Sequence, residues 1–264
     1  MATALRTIPS DTEAEPVSQF WIFDVETRNP DPEDMKRLEA EFMDDWEPAG
    51  NLKDPEKIEA ARAAALLKFR DKAALLDAAP ISMVGIMLTH RTFLLHSLGK
   101  AKPKWFGKRE RNVSIEGFAG ERKLMEAVYA TLEEHTTEKM HGVGHSIFNF
   151  DLAKLRLAGV RNGLTLPDVL RVVLDEDEER RRFVDTMSLF TKYFARRGEL
   201  FISQDRMLQR LGIESLLKGV ATGADVPKLL AENPPRITEV ATKLLADLLG
   251  CSDAYAKMTS RVRK

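Results

Sequence analysis

Cysteine is nearly absent: Cys251 is the only one in 264 residues. A lone thiol excludes an intramolecular disulfide framework and fits a reducing compartment. Net charge is nearly absent as well. Lys and Arg number 40 against 41 Asp and Glu, so the whole-chain balance argues neither for nor against a nucleic-acid partner; only local clusters can. No apolar stretch reaches membrane-spanning length, and the N-terminus lacks the apolar core of a signal peptide. A soluble, cytoplasmic protein with no membrane partner is therefore expected. Internal repeats and low-complexity tracts are missing, and His90, His96, His135 and His141 follow no metal-binding spacing. Apolar residues are plentiful, at 44 %, enough for the core of one large α/β domain or two small ones.

One apolar run ends unusually. Phe20-Trp21-Ile22-Phe23-Asp24-Val25-Glu26-Thr27 reads as a strand closing on two carboxylates one residue apart. Residues i and i+2 of a strand point the same way, so Asp24 and Glu26 aim together. Two close carboxylates resist joint ionisation, and a hard divalent cation with oxygen ligands is the usual remedy. The alternative is a strand end with solvated acids.

Residues 1–17 are polar, with Pro9 and Pro16, and are expected to form a mobile arm, leaving 18–264 as a single domain. Strands are predicted over 18–26, 81–88 and 91–97, with a tight turn near Thr89-His90 and short extended structure over 113–117. Residues 29–78 interrupt them as a helical insertion. Asn29-Pro30-Asp31-Pro32 is a turn signal, and Asp54-Pro55-Glu56 opens a long Ala/Leu-rich helix to about Leu76. Leu124, Val128 and Leu132 mark a helix over 121–135. A short strand follows over 141–145, then a helix from Asp151 ended by Gly159. Helices dominate from about Glu176, with breaks at 219–223 and at Asn233-Pro234-Pro235. The order predicts one mixed sheet of five to six strands flanked by helices.

Two further acids stand out. Asp151 opens its helix directly after Phe150, where an acid suits the helix dipole, so a plain capping role competes with a functional one. Lys243 and Asp247 are four apart on a late helix and share a face, which fits an ordinary ion pair.

The ordered set has a meaning that no single piece carries. Asp-x-Glu on the first strand, Gly144-His145-x-x-x-x-Phe150-Asp151, then Asp247 on a late helix resembles the DEDD superfamily of 3′–5′ exonucleases. The closest resemblance is to exonucleases related to the proofreading domain of B-family DNA polymerases, including stand-alone phage versions. Asn51 to Ile58, Lys72 to Leu75, and Leu211-Gly212-Ile213 with Lys218, Gly219, Gly223 and Val226 look like those members too, and the similarity runs from about Trp21 to Met258.

The resemblance implies an RNase H-like fold. It also implies that Asp24, Glu26, Asp151 and Asp247 hold two Mg²⁺ or Mn²⁺ ions about 4 Å apart, with Asp24 as the bridge. Asp185 matches a further acidic position and is expected to be structural. Two positions depart from the pattern. Lys243 and Thr242 stand where the family has a water-positioning Tyr or His, and Ser146 stands where Asn is usual. A lysine could orient water or stabilise phosphate charge, but would need a lowered pKa to act as a base.

The implied substrate is single-stranded DNA or a frayed 3′ end, in a bacterium or a phage-infected host, with the activity serving either proofreading in trans for a polymerase or other replication protein or the recycling of free nucleotides. A ribonuclease with the same site is one alternative. A catalytically degenerate fold that binds nucleic acid or a replication protein is the other. Candidate substrate contacts are Thr27, His145, Ser146, Phe148, Asn149 and Phe150. Lys104 and Trp105 join them from a basic cluster with Lys100, Lys102, Lys108, Arg109 and Arg111, where cations can hold phosphates and aromatics can stack bases. A solvated loop is the competing reading of that cluster, and core packing that of His145 and the phenylalanines. The insertion either walls the cleft or covers the sheet.

Overall fold

The structure, a computed structural model, describes residues 20–98, 112–195, 201–216 and 219–262. The expected arm at 1–17 and the basic cluster around Lys104 and Trp105 lie outside them.

Strand β1 (Phe20–Thr27) is the frame of the site. Helices α1 (Pro32–Asp45) and α2 (Pro55–Asp71) follow, then β2 (Ile81–Met87), β3 (Arg91–His96) and β4 (Asn112–Gly117). Helix α3 (Gly120–His135), β5 (His141–Gly144), α4 (Asp151–Arg161), α5 (Glu176–Arg182) and β6 (Phe183–Asp185) come next. The chain ends in α6 (Thr186–Tyr193), α7 (Gln204–Arg210), α8 (Val226–Ala231) and the long α9 (Ile237–Val262). The strands form one mixed sheet in the order β4-β3-β2-β1-β5-β6. β1, β2 and β3 are antiparallel neighbours, while β5 lies parallel to β1 and β6 parallel to β5. This six-stranded sheet flanked by helices is an α/β fold consistent with an RNase H-like arrangement. No helix among the described residues is long and apolar enough to cross a membrane.

The alternation of β1 sorts its side chains between two cores. Trp21, Phe23 and Val25 pack with β2, β3, α3 and α4 on one face. Ile22 faces the other way, into a core built from α8 and α9 with Met83, Met87 and Leu94. Asp24 and Glu26 share the Ile22 stripe, so they lie under α9 where two more apolar residues would be expected.

Gly85, opposite Asp24 across the β1–β2 ladder, lets α9 come close. A Cβ there would lie 2.6 Å from Leu248 Cδ1 and 3.1 Å from Leu244 Cγ. Gly85→Ala is expected to cost about 1–3 kcal/mol, the scale of an overpacked core, read as a lower denaturation midpoint.

Three expectations are corrected. Gly159 does not end α4, which continues to Arg161; the glycine instead makes room for the Tyr129 hydroxyl, which would lie 2.0 Å from a Cβ. The insertion holds a second helix, α1, and the Ala/Leu-rich helix α2 stops at Asp71, before a short 3₁₀ turn over Ala73–Leu75. Nor does the insertion cover the sheet, since neither α1 nor α2 buries a residue. The two helices lean on one another, with Phe42 stacked on Phe69 at 4.5 Å and Arg70 gripping both oxygens of Glu39 at 2.7 Å.

Candidate metal centre and cleft

β1 and β5 pair only as far as Ile22 and Val143. Past that point β1 runs on alone on that side, and its exposed backbone needs partners. Asp151, in the first turn of α4, supplies one: its Oδ1 accepts the Val25 N–H at 2.9 Å. The acid after Phe150 is thus tied to the residue between Asp24 and Glu26.

α9 crosses the sheet over the same stretch. One ligand oxygen from each of Asp24, Glu26 and Asp247 lies within 4.8 Å of the others. At an effective dielectric of ~20, two unit charges at that range repel by about 3 kcal/mol. The cluster therefore holds together only with compensation. Lys243 provides part of it: its ammonium donates to Glu26 Oε1 and to Asp247 Oδ2, the latter at 2.5 Å. The Asp247 carbonyl accepts from Gln204 Nε2 at 2.7 Å, which pins this turn of α9 to α7.

Compensation is incomplete. Asp24 Oδ2 reaches no solvent and has no hydrogen-bond partner. Burial raises the Asp24 pKa well above the usual carboxylate value; Lys243 opposes this, and Asp151, Asp247 and Glu26 add to it. Burial also raises Glu26 against the pull of Lys243. Asp151 is pushed up to about 8, chiefly by burial, even with the Val25 N–H favouring its charged form. For Lys243, burial alone would lower the pKa, but Glu26, Asp247 and Asp24 reverse that and hold it well above normal. Lys243 is a fixed cation, not a base. An orphaned buried carboxylate oxygen beside two more acids is the donor set a hard divalent ion fits, and the cluster of Asp24, Glu26 and Asp247 could hold one.

Asp24 and Glu26 open into a cleft of about 440 Å³, lined also by Thr27, Ala74, Leu75, His145, Ser146, Phe150, Asp151, Phe201, Ser203, Gln204 and Lys243. The 3₁₀ turn after α2 forms one wall. It is held there by Thr27 Oγ1 donating to the Ala74 carbonyl at 2.6 Å and by Lys154 Nζ donating to the Leu76 carbonyl. Leu75 and Phe201 are largely exposed, so the cleft has apolar flanks and an acidic floor.

The other expected contacts divide. Thr27 and His145 line the cleft but are already bonded. His145 Nε2 lies 2.9 Å from the Ile202 carbonyl, which can only accept, so Nε2 carries a proton. Burial lowers the ring's pKa, and Nδ1 lies 3.1 Å from the Thr186 hydroxyl, which itself donates to the Gly144 carbonyl at 3.0 Å. Phe148 packs against the core beneath Arg180 rather than lining the cleft, and Asn149 is exposed outside the cleft. Phe150 lines it, with Lys154 Nζ 5.5 Å above its ring.

Ser146 takes a left-handed backbone, φ 61°, a conformation Asn adopts more readily. Asp185 holds it there by accepting the Ser146 N–H at 2.8 Å, while the same carboxylate caps α6 through the Met187 and Ser188 N–H groups. Asp185→Ala is expected to cost about 2 kcal/mol, from a lost cap and an orphaned N–H, without weakening divalent-ion binding; parallel denaturation and calorimetric titration would check both.

Sequence reasoning missed Lys154, Gln204 and Phe201. Their roles depend on partners far along the chain, and only the break in hydrophobic pattern at Lys154 hinted at anything. No protein-family model matches the chain, and no curated protein does either.

Proposed function

We propose that this chain is a metal-dependent 3′–5′ exonuclease that releases nucleotides from single-stranded or frayed DNA ends. The observation that supports this reading is the convergence of Asp24, Glu26 and Asp247 within 4.8 Å, with Asp151 bonded to the strand between Asp24 and Glu26 and with Asp24, Glu26 and Asp151 lining an open cleft in a sheet consistent with an RNase H-like fold. Mg²⁺ or Mn²⁺ bound there supplies an activated water and charge stabilisation for in-line phosphodiester hydrolysis. The acids hold the ion, with Asp24 central because its Oδ2 is otherwise unpartnered. Phe150, Phe201 and Leu75 offer apolar surface against which a terminal base can stack. Ser203 and Gln204 add polar groups to the cleft lining.

One observation favours a second reading. Lys243 already bonds two of the acids, where the resembled exonucleases carry a water-positioning Tyr. A fold that binds nucleic acid or a replication protein without cutting it would look the same. A 5′-labelled DNA strand incubated with Mg²⁺ or Mn²⁺, with a chelator control and an RNA strand in parallel, separates the readings. Stepwise metal-dependent shortening from the 3′ end is the expected result. Tight binding with no shortening would sink the enzyme and leave the binding module, and preferential shortening of RNA would move the substrate to RNA.

A further inference from the structure

We propose that the centre takes one divalent ion per chain, because the Lys243 ammonium is its built-in second cation. This rests on the reading of the acidic cluster as a metal centre, but not on the nature of the substrate.

The argument is one of charge and reach. Asp24, Glu26 and Asp247 bring one ligand oxygen each within 4.8 Å of one another, and one divalent ion together with the Lys243 ammonium balances those three carboxylates. Lys243 adds a positive charge paired directly to two of them. It sits one turn before Asp247 on α9, its side chain is only 11 % exposed, and its partners among the described residues are Glu26 and Asp247. α9 is itself fixed: Gly85 lets Leu244 and Leu248 seat against β2, and Gln204 holds the Asp247 carbonyl.

An ammonium displaced from the two acids would give up both of its ion pairs, and breaking a largely buried pair is costly. If it stays, the space between Glu26 and Asp247 already has its cation. What remains is the unpartnered Asp24 Oδ2, with those oxygens of Glu26 and Asp247 that Lys243 does not engage. That is a donor set for one ion. The lysine would then serve as a positioning residue, holding Glu26 and Asp247 apart from the single ion's far side.

The test counts ions and needs no substrate. Mn²⁺ is titrated into the full chain, with free Mn²⁺ followed by electron paramagnetic resonance and binding heats by calorimetry. The expected counts are one ion in the unaltered protein, two in Lys243→Met, and one in Lys243→Arg, which keeps the charge. Two ions in the unaltered protein would overturn the proposal by itself, whether or not the Met variant folds. One ion in both the unaltered protein and Lys243→Met would also overturn it, since the lysine would not be setting the count. No binding to either would refute the metal centre together with the proposal. One ion with no cleavage of any strand would keep the proposal and refute only the exonuclease.

Discussion

Asp24→Asn is expected to abolish metal-dependent nucleotide release while leaving the fold intact. The substitution keeps the size and shape of the side chain and removes the charge a hard cation needs. A single preorganised group acting on a charged transition state is worth about 10²–10³ in rate, and a ligand central to the ion should reach at least that. Stability should hold or rise. The Asp24 Oδ2 is buried and unpartnered, and an uncompensated buried charge is costly, so the neutral amide suits the metal-free protein better. The measurement pairs the initial rate of shortening of a labelled strand with a thermal melt in chelator. A full rate in Asp24→Asn would remove the acid from the chemistry. A lost rate with a collapsed melt would show only that the fold had failed.

Lys243→Met should have the largest effect on stability. It leaves Glu26 and Asp247 buried without their cation, and breaking a buried pair by removing one partner typically costs about 3–5 kcal/mol. For a chain of this size that is a fall of roughly 10 °C in thermal midpoint. The loss should depend on pH with a definite sign. Burial raises the folded-state pKa of Asp24, Glu26 and Asp151 above their unfolded values, Asp151 from 3.8 to about 8. The folded protein therefore binds more protons than the unfolded one between these limits. Stability is present in full below about pH 4 and is lost as pH rises toward 8. The metal-free variant should be weakest at pH 8, recover toward pH 5, and be rescued at pH 8 by Mg²⁺ or Mn²⁺. Urea denaturation across that range, with and without the ion, reads all three.

Much of the sheet was legible because its strands obey local rules. The run over 81–88 and its partner over 91–97 are short apolar segments separated by two residues. The Leu124, Val128 and Leu132 spacing marks α3 directly. The elements that escaped are those whose reason is distant. α1 carries Met35, Leu38 and Phe42 at helical spacing but buries none of them fully; its support is Phe69 and Arg70 on α2. Gly159 looked like a helix end because a glycine's usual local role is to stop a helix. Its actual role, giving way to the Tyr129 hydroxyl as it bonds the Leu155 carbonyl at 2.7 Å, belongs to two packed helices.

The candidate site divides in the same way. Asp24 and Glu26 were legible as a pair from strand geometry alone. Asp151 was legible as an acid at a helix start, but not as the acceptor of the Val25 N–H. Lys243 and Asp247 looked like a surface pair, and only the fold brings Glu26 to complete a buried triad. Burial is what separates the two readings, and a spacing of four residues carries no information about it.

The bond from Lys243 to Glu26 joins residues 217 positions apart. At about 5–20 residues per second of synthesis, roughly 10–40 s pass between the appearance of the first acids and that of the helix that completes their setting. During that interval β1 carries its carboxylates without α9 above them. The nascent chain would thus hold no assembled centre until α9 had been made and packed, so any chemistry of the cluster is a property of the folded chain and not of its first strand.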